Sequence, residues 1–353
     1  MRFIDYFSNA ADIKPIFSAR HFDLYAPIFP IFASMKIASK FILSGLFLLL
    51  LGASCQRAET NGKQLVIASL RGPSSVGMLH FIDSVSRMEN ADIDIQIYDE
   101  PLQVRKLMLD GSADFAVLPT TMAALLYNKG MDYRVKAVPM WGTLYLCGND
   151  TTIQCWDDLR GKKVYLMAKG MTPDVLFQFL LTQNGLAPYQ DVDLDYRFPT
   201  HIDLANATMA GRADLSVISE PYLSMALLKN PSLHILFDLD AEWNKVKGVP
   251  LAETAFLCRG NLAETKQRID RIVGAYATSV DWVNAHPAEA AHLAVQYNII
   301  PDSLAAFNSI PRSNLNVVRT DEVRQDLKDY LQVFFDMDAQ IIGGQMPNES
   351  FYE

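Results

Sequence analysis

The stretch that decides the fold occurs twice in this chain. Residues 107–126 read LMLDGSADFAVLPTTMAALL, and residues 207–228 read ATMAGRADLSVISEPYLSMALL. The Gly-x-Ala-Asp run that begins at Gly111 recurs at an offset of 100, and the Ala-Leu-Leu run that begins at Ala124 recurs at an offset of 102. Each copy predicts a helix end, a glycine turn, an apolar strand, a proline-bearing loop and a new helix.

Two such copies predict two similar lobes around one cleft. In an open α/β sheet, the loop after each parallel strand faces the ligand crevice, so each lobe presents a loop to the shared space. Strands alternate with helices between residues 64 and 258, and the pattern is helical from residue 262 to the end. This alternation predicts an α/β fold with mostly parallel sheets. We expect the helical tail to pack on one lobe.

Composition and motifs exclude several classes of function. The 353 residues carry a formal net charge of −9 and no dense Lys/Arg run, which argues against nucleic-acid binding. The histidines are scattered, and no CxxC or Cys/His cluster is present, so we expect no metal site. No GxSxG, Walker A or GxGxxG motif occurs. We therefore expect no cofactor and no enzyme activity of those kinds.

The N-terminal region predicts export. From Met35 the chain reads MKIASKFILSGLFLLLLGASCQ, with a basic start and an apolar run too short to span a membrane. Small residues then precede Cys55, and the segment resembles a bacterial lipoprotein signal in which Cys55 is lipidated. We interpret 1–34 as an upstream extension, 35–54 as the signal peptide and 55–63 as a polar tether.

Three further cysteines leave the disulfide question open. Cys147 and Cys155 are eight residues apart, a spacing that allows a small loop bridge in an exported protein. Cys147 and Cys258 lie on two segments that we expect to run side by side. A bridge in either pair, and three free thiols, all remain compatible with the sequence.

These segments together resemble a known family. The repeated DGSADFAVLPTT and AGRADLSVISEP segments, the WDDLRGKKVYLMAKG segment that begins at Trp156, the lipoprotein-like start and the helical tail are similar to substrate-binding proteins of ABC importers. The similarity covers roughly residues 64–335 and is greatest to the nitrate, sulfonate, taurine and thiamine-precursor branch. It resides in the order and spacing of the segments, because no single motif is specific.

The resemblance implies a two-lobed periplasmic-binding-protein fold of type II, with two sheets joined by two crossover strands. Residues 64–140 would form the first part of lobe 1, 141–258 the crossovers and lobe 2, and 259–353 the rest of lobe 1. The crossover strands are expected at 142–147 and 254–258. A membrane permease with its ATPase would receive the ligand from the closed lobes.

Loops at the carboxyl ends of strands supply the candidate ligand-binding residues. In lobe 1 these are Arg71, Gly72, Pro73, Ser74, Ser75, Pro119, Thr120 and Thr121. Near the hinge they are Trp141, Gly142 and Thr143. In lobe 2 they are Gly170, Met171, Thr172, His201, Glu220 and Tyr222, and Pro221 accompanies them.

Each residue type has a binding role and a structural alternative. Arg71 suits a carboxylate, sulfonate or phosphate, or is an exposed strand-end arginine. The hydroxyls offer hydrogen bonds or cap helices. Glu220 suits an amine or an aminopyrimidine, or complements a helix dipole. Trp141, Tyr145, Phe198 and Tyr222 stack on a ring or belong to the core, and His201 lines the cleft.

The sequence thus predicts a lipid-anchored, extracytoplasmic binding protein for a small planar or anionic ligand. Two alternatives remain. One is an enzyme on the same fold, of the pyrimidine-synthase or chorismate-processing kind. The other is a sensory ligand-binding protein that signals to a membrane receptor.

Overall fold

The computed structural model of the protein describes residues 64–353, which form eleven β-strands and twelve α-helices. The strands are β1 (Leu65–Leu70), β2 (Ile93–Tyr98), β3 (Phe115–Pro119), β4 (Tyr133–Met140), β5 (Leu144–Gly148), β6 (Lys163–Tyr165), β7 (Asp193–Asp195), β8 (Leu215–Ser219), β9 (His234–Asp238), β10 (Thr254–Arg259) and β11 (Leu315–Arg319).

The helices lie mostly between consecutive strands, until a helical C-terminal third. They are α1 (Pro73–Gly77), α2 (Leu79–Ser86), α3 (Pro101–Leu109), α4 (Thr120–Asn128), α5 (Thr172–Gln183), α6 (His201–Met209), α7 (Tyr222–Lys229), α8 (Leu239–Lys247), α9 (Lys266–Ala285), α10 (Pro287–Gln296), α11 (Ser303–Ser309) and α12 (Thr320–Met337). Short 3-10 helices occupy Trp156–Leu159, Ile310–Arg312, Ala339–Ile342 and Glu349–Tyr352.

The strands form two sheets, as the sequence predicts. The first has the order β11-β4-β10-β3-β1-β2 and the second β7-β6-β8-β5-β9. In the first sheet β1 to β4 share a direction, and β10 and β11 run against them. In the second, β5 runs against the other four strands. The two-lobed α/β architecture is confirmed, with two mixed sheets in which most strands share a direction.

The two lobes repeat one plan. The order β2-β1-β3-β10-β4 in the first sheet corresponds to β7-β6-β8-β5-β9 in the second. The first sequence copy covers β3 and α4, and the second covers β8 and α7. Gly111 and Gly211 follow the preceding helices with φ of +73° and +66°, a left-handed conformation that glycine adopts without a Cβ clash. The sequence repeat therefore corresponds to a repeat of topology.

The segments predicted as crossover strands are inner members of the sheets. Residues 142–147 largely form β5 of the second sheet, and residues 254–258 form most of β10 of the first. The chain passes between lobes just before each strand, at 141–143 and at 248–253. Gly142 has φ +99°, and a Cβ there would lie 2.7 Å from the Cβ of Asp240. Glycine is required at this passage because any side chain would collide with α8.

Alternation along the strands divides the apolar side chains between cores on opposite faces of each sheet. Ile67 points into a core formed with α2, α9, α10 and α11, and its neighbour Ala68 points into the largest core. That largest core is continuous through both lobes. Trp243 of α8 and Tyr330 of α12 meet within it at 5.8 Å between ring centroids, edge to face.

The tail differs from the sequence prediction in two respects. It contains a strand, β11, at the edge of the first sheet, where its Val317 and Val318 fit a half-buried strand better than a helix. Helix α12 also contacts α4 of the first lobe and α5 of the second, whereas we expected the tail to pack on one lobe. The tail consequently fastens the two lobes together.

Three smaller features also differ from or complete the prediction. The helix expected from Ser75 to Met88 is two helices, α1 and α2, separated at Met78. Helix α8 had no counterpart in the sequence prediction. Cys147 and Cys258 are buried free thiols and Cys155 is an exposed one, so neither of the considered disulfides forms.

The predicted extension, signal peptide and tether, including Cys55, lie outside the described residues. Between residues 64 and 353, no helix combines the length and hydrophobicity that a membrane crossing requires.

Candidate functional site

Loops from both sheets converge on one cavity of about 120 Å³. This volume is well below the roughly 300–1,000 Å³ typical of pockets for drug-sized ligands, so the space suits a small molecule. The first lobe contributes the ends of β1, β2 and β3, and the second contributes the ends of β8 and the start of α6. The lining residues are Leu70, Arg71, Gly72, Pro73, Ser74, Asp99, Glu100, Pro101, Pro119, Met140, Thr143, His201, Ile202, Ser219, Glu220, Tyr222, Glu253 and Thr254.

Arg71 lies at the end of β1, as predicted, but its guanidinium already has protein partners. Its Nε donates to Asp99 Oδ1 at 2.5 Å, and its Nη1 donates to the carbonyl of Asn298. Asp99 follows β2, the strand paired with β1, so the two side chains meet at the same sheet edge. The positive charge that suggested an anionic ligand is therefore compensated within the protein.

The loop after β1 contains residues that line the cavity and one that stabilises the start of α1. Gly72, Pro73 and Ser74 line the cavity. Ser75, in contrast, hydrogen-bonds with Gly72, with its Oγ 3.1 Å from the Gly72 nitrogen and 3.0 Å from the Gly72 oxygen. Ser75 thus has the local turn-stabilising role that was its structural alternative.

The loop of the first repeat copy contributes less to the cavity than predicted. Pro119 lines it, but Thr120 and Thr121 are buried beside it. The Thr121 hydroxyl lies 2.9 Å from that of Thr172 in the second lobe, which forms a hydrogen bond between lobes. The Thr120 hydroxyl has no hydrogen-bond partner among the described residues.

The loop before α5 lies away from the cavity, contrary to the expectation for Gly170, Met171 and Thr172. The Gly170 N–H donates to Asp174 Oδ2 at 2.7 Å, which fixes the start of α5. Strand β6 is only three residues long, and the six residues after it lead the chain to α5 on the side where Thr172 meets Thr121. The position of a loop at the carboxyl end of a strand therefore predicts the sheet edge at which it lies, but not the direction in which it turns from that edge.

His201 and Tyr222 both line the cavity and lie against each other. Their ring centroids are 5.9 Å apart with an interplanar angle of 24°. His201 Nδ1 lies 3.1 Å from Ser219 Oγ at the end of β8. Burial lowers the pKa of His201 to about 4, because the charged imidazolium is disfavoured away from water. The ring is consequently neutral near pH 7.

Glu220 is almost fully buried and is the most tightly held charge of the site. Its Oε1 accepts from Arg312 Nε at 2.6 Å and from the Ser224 hydroxyl at 3.0 Å, and its Oε2 accepts from the Ser224 N–H at 3.0 Å. Burial raises the pKa of Glu220, and the Arg312 guanidinium counters that shift. Arg312 belongs to the C-terminal tail, so this ion pair also joins the lobes.

Glu253 faces the cavity with a much weaker set of partners. The Thr143 hydroxyl donates to its carboxylate at 3.2 and 3.3 Å. Burial raises the pKa of Glu253 to about 7, and burial together with Asp238 raises the pKa of nearby Asp240 to about 7. The next residue, Thr254, is 3% exposed and lines the cavity, and its hydroxyl has no partner among the described residues.

Most of the residues predicted near the hinge or for ring stacking contact other parts of the protein and do not line the cavity, including Trp141 and Gly142. The Trp141 indole donates to the carbonyl of Asn316 at 2.6 Å, so the tail holds it beside the cavity rather than in it. Gly142 lies where the chain passes from one lobe to the other. Tyr145 is buried and donates to the Arg312 carbonyl at 2.9 Å. Phe198 contacts Tyr165, which leaves Tyr222 as the aromatic residue of this group in the cavity lining.

Several cavity residues were not predicted, and most of them had a signal in the sequence. Asp99 and Glu100 directly follow β2, so the rule applied to Arg71 would have found them. Glu253 and Thr254 stand at the start of β10, which runs against its neighbours and so presents its amino end at the cleft edge. Arg312, which does not line the cavity itself but holds Glu220, had no signal, because Glu220 is 92 residues away in the chain.

The chain is similar to known proteins in sequence and in fold. A family model described as NMT1/THI5 like matches residues 87–290, more than half of the chain. A curated protein named "Putative binding protein YtlA", from Bacillus subtilis (strain 168), is 21% identical, and the match covers 70% of this chain and 74% of that protein.

Two solved structures show the same fold. An ABC transporter structure from Parabacteroides distasonis superposes with a TM-score of 0.72 at 26% identity, covering 82% of this chain and 98% of that chain. The periplasmic aliphatic sulphonate binding protein SsuA from Escherichia coli gives 0.63 at 18% identity, covering 81% and 92%. At the latter identity the similarity concerns the fold alone.

Proposed function

Because the chain belongs to the NMT1/THI5-like family and has the two-lobed fold of ABC-transporter substrate-binding proteins, we propose that it is the extracytoplasmic solute-binding component of an ABC importer. The observation that carries the proposal is the convergence of loops from both lobes on one small cavity. A ligand there would contact both lobes, so its binding energy favours their closure.

The proposal includes the cellular context that the sequence predicts. The lipid on Cys55 would hold the protein at the outer face of a membrane, and the segment 55–63 would tether the lobes to it. A permease with its ATPase would then accept the ligand. The importer role and the partners are supported by the family and fold, and the anchor is supported by the residues around Cys55.

The ligand expected from the sequence is small and either planar or anionic. The small cavity volume supports the first property, and the neighbouring His201 and Tyr222 rings offer a flat surface that suits a planar group. The negative charge has less support, because Arg71 is paired with Asp99.

Ligand-induced stabilisation tests the binding function directly. Thermal unfolding of the purified protein would be followed against sulfonates, nitrate, carboxylates, aminopyrimidines, amines and nucleobases. A ligand that binds only the folded protein adds about 2.7 kcal/mol at a hundredfold excess over Kd. We expect a shift by one chemical class, with the compound recovered unchanged. The absence of any shift across the panel would contradict the proposal.

One observation favours an enzyme as the second candidate. His201 and Ser219 form a contact of the kind that activates a serine nucleophile. However, no carboxylate hydrogen-bonds to the other ring nitrogen among the described residues, and the lowered pKa makes the ring a weak base. Mass spectrometry of the compounds after incubation separates the two functions. Conversion that Ser219→Ala abolishes would establish the enzyme.

A further inference from the structure

We propose that the cavity binds a small organic cation with N–H donors, such as an ammonium, an amidinium or a protonated amino-heterocycle, with Glu253 as its principal partner. This inference rests on the proposed solute-binding function. It replaces the anionic ligand of the sequence prediction with one of the opposite charge.

The charge balance of the cavity supports a cation. Its lining contains four carboxylates, of Asp99, Glu100, Glu220 and Glu253. Two guanidiniums compensate two of them, since Arg71 pairs with Asp99 and Arg312 pairs with Glu220. Neither Glu100 nor Glu253 has a cationic partner among the described residues. Two carboxylates therefore remain for a positively charged ligand.

Among the described residues that line the cavity, no cation without a carboxylate partner is available to an anion. Arg71 is the arginine among the lining residues, and its Nε and Nη1 donate to Asp99 and to the Asn298 carbonyl. His201 is neutral near pH 7 and is held by Ser219. An anion would enter a space bordered by carboxylates with no unpaired cation to meet it, and such a like-charge approach costs several kcal/mol.

Unsatisfied hydrogen-bonding groups mark where the ligand would bind. Among the described residues the donors to Glu253 all belong to Thr143, its hydroxyl and its backbone N–H, although a carboxylate accepts about four hydrogen bonds. The adjacent residue, Thr254, lines the cavity and is 3% exposed, and its buried hydroxyl has no partner in the described part of the chain. Buried polar groups normally have partners. A ligand with several N–H groups would donate to the Glu253 carboxylate and to the Thr254 hydroxyl oxygen.

Matched pairs of opposite charge test the inference. Binding of the full-length protein to guanidinium and nitrate, to acetamidinium and acetate, and to benzamidinium and benzoate is measured by calorimetry. Each pair has closely similar shape and opposite charge. We expect the cation to bind about tenfold tighter or more within each pair that binds, which corresponds to about 1.4 kcal/mol.

Three variants identify the residues responsible. Glu253→Gln keeps the shape but removes the charge, and we expect it to weaken the cation about 30-fold or more, since a buried charge partner is lost. Glu100→Gln alters an exposed carboxylate and is expected to weaken the cation less. Glu89→Gln, an exposed acid in the turn before β2, is the matched control and should change nothing. Circular dichroism of each variant checks folding, and Glu100→Gln keeps the test valid if Glu253→Gln unfolds.

Proton linkage gives an independent readout. A bound cation favours ionised Glu253, so binding near pH 7 should release a proton and tighten between about pH 6 and pH 8. Asp240 and Tyr330 are the electrostatic neighbours of Glu253, and Asp240 has a pKa in the same range. The other charged or titratable groups at the cavity are Arg71 with Asp99, Glu220 with Arg312, Glu100, His201 and Tyr222. The Asp240→Asn variant separates the contribution of Asp240, because proton release by Glu253 on binding should persist in it.

The outcomes distinguish the two proposals. Preference for cations that depends on Glu253 supports the inference. Preference for nitrate, acetate or benzoate, with proton uptake on binding, overturns it and leaves the solute-binding function intact. Binding of neither charge by any pair overturns the inference, whereas the solute-binding function is contradicted only if the thermal-unfolding panel also gives no shift.

Discussion

The two repeat copies have the same order of strand and helix, but the second copy has two more residues between its strand and its helix at the cleft. In the first copy β3 ends at Pro119 and α4 begins at Thr120, whereas in the second β8 ends at Ser219 and α7 begins at Tyr222. The extra residues are Glu220 and Pro221. The insertion therefore accounts for the change of offset from 100 to 102, and it brings a charged side chain to the second copy alone.

The hydrogen bonds of the backbone are nevertheless equivalent at the two positions. The Thr120 N–H donates to the Glu253 carbonyl, at 3.0 Å, and the Glu220 N–H donates to the Thr143 carbonyl, at 3.1 Å. Each copy is thus attached to one of the two passages between lobes. The comparison indicates that the repeat supplies the scaffold, and that the chemistry of the cavity comes from what each copy adds to it.

The largest expected effect removes the partner of the inserted charge. Arg312→Ala leaves Glu220 buried without a counter-charge, and we expect the free energy of unfolding to fall by about 2–4 kcal/mol. Arg312 itself is partly exposed, which moderates the loss. Chemical denaturation measures it, with Arg212→Ala, an exposed arginine of the same copy, as the control. Recovery of stability in Arg312→Ala with Glu220→Gln would confirm the cause, whereas equal effects of Arg312→Ala and Arg212→Ala would contradict it.

A smaller effect concerns the Glu253 carboxylate, whose partners among the described residues are the uncharged donors of Thr143. The raised pKa of Glu253, about 7, means that the folded protein holds a proton that the unfolded chain releases above about pH 4.5. Stability should consequently fall as the pH rises from about 4.5 to about 7, by about 1–3 kcal/mol. Denaturation midpoints measured across this range should fall less steeply in Glu253→Gln. An identical slope in both proteins would exclude Glu253 as the source.

The smallest effect separates two neighbouring threonines of the first copy. Thr121→Val leaves the Thr172 hydroxyl without its partner and should destabilise the protein by about 1–2 kcal/mol. Thr120→Val removes a hydroxyl with no described partner and should be close to neutral. If Thr121→Val is also neutral, the interlobe hydrogen bond contributes nothing to stability. In the double variant Thr121→Val with Thr172→Val, we expect less than the sum of the single losses.

The sequence was sufficient to predict most of the fold because its signals are local. The spacing of apolar residues, the turn glycines and the helix-start residues predicted nearly all of the strands, and the sequence repeat predicted the two lobes. The errors occur where tertiary contacts decide. The segment 315–319 joins a sheet edge within a helical region, and α12 reaches both lobes through side chains that no local pattern relates.

The cavity was less predictable because its charges are set by pairs distant in sequence. Arg71 and Glu220 were both placed correctly at the cleft edge, yet their partners Asp99 and Arg312 determine whether their charges are available. The loop before α5 shows the converse case. Its residues follow a strand of the correct sheet, but the short β6 leaves the direction of the loop to the packing around Thr172.

The aromatic contact between Trp243 and Tyr330 has a mechanical consequence. Because the largest core is continuous through both lobes, any full opening of the lobes would have to separate these two buried rings. In the proposed binding function, this core rather than the cavity then limits how far the two lobes open. Side chains in this core that never touch the ligand should therefore govern how quickly it is released.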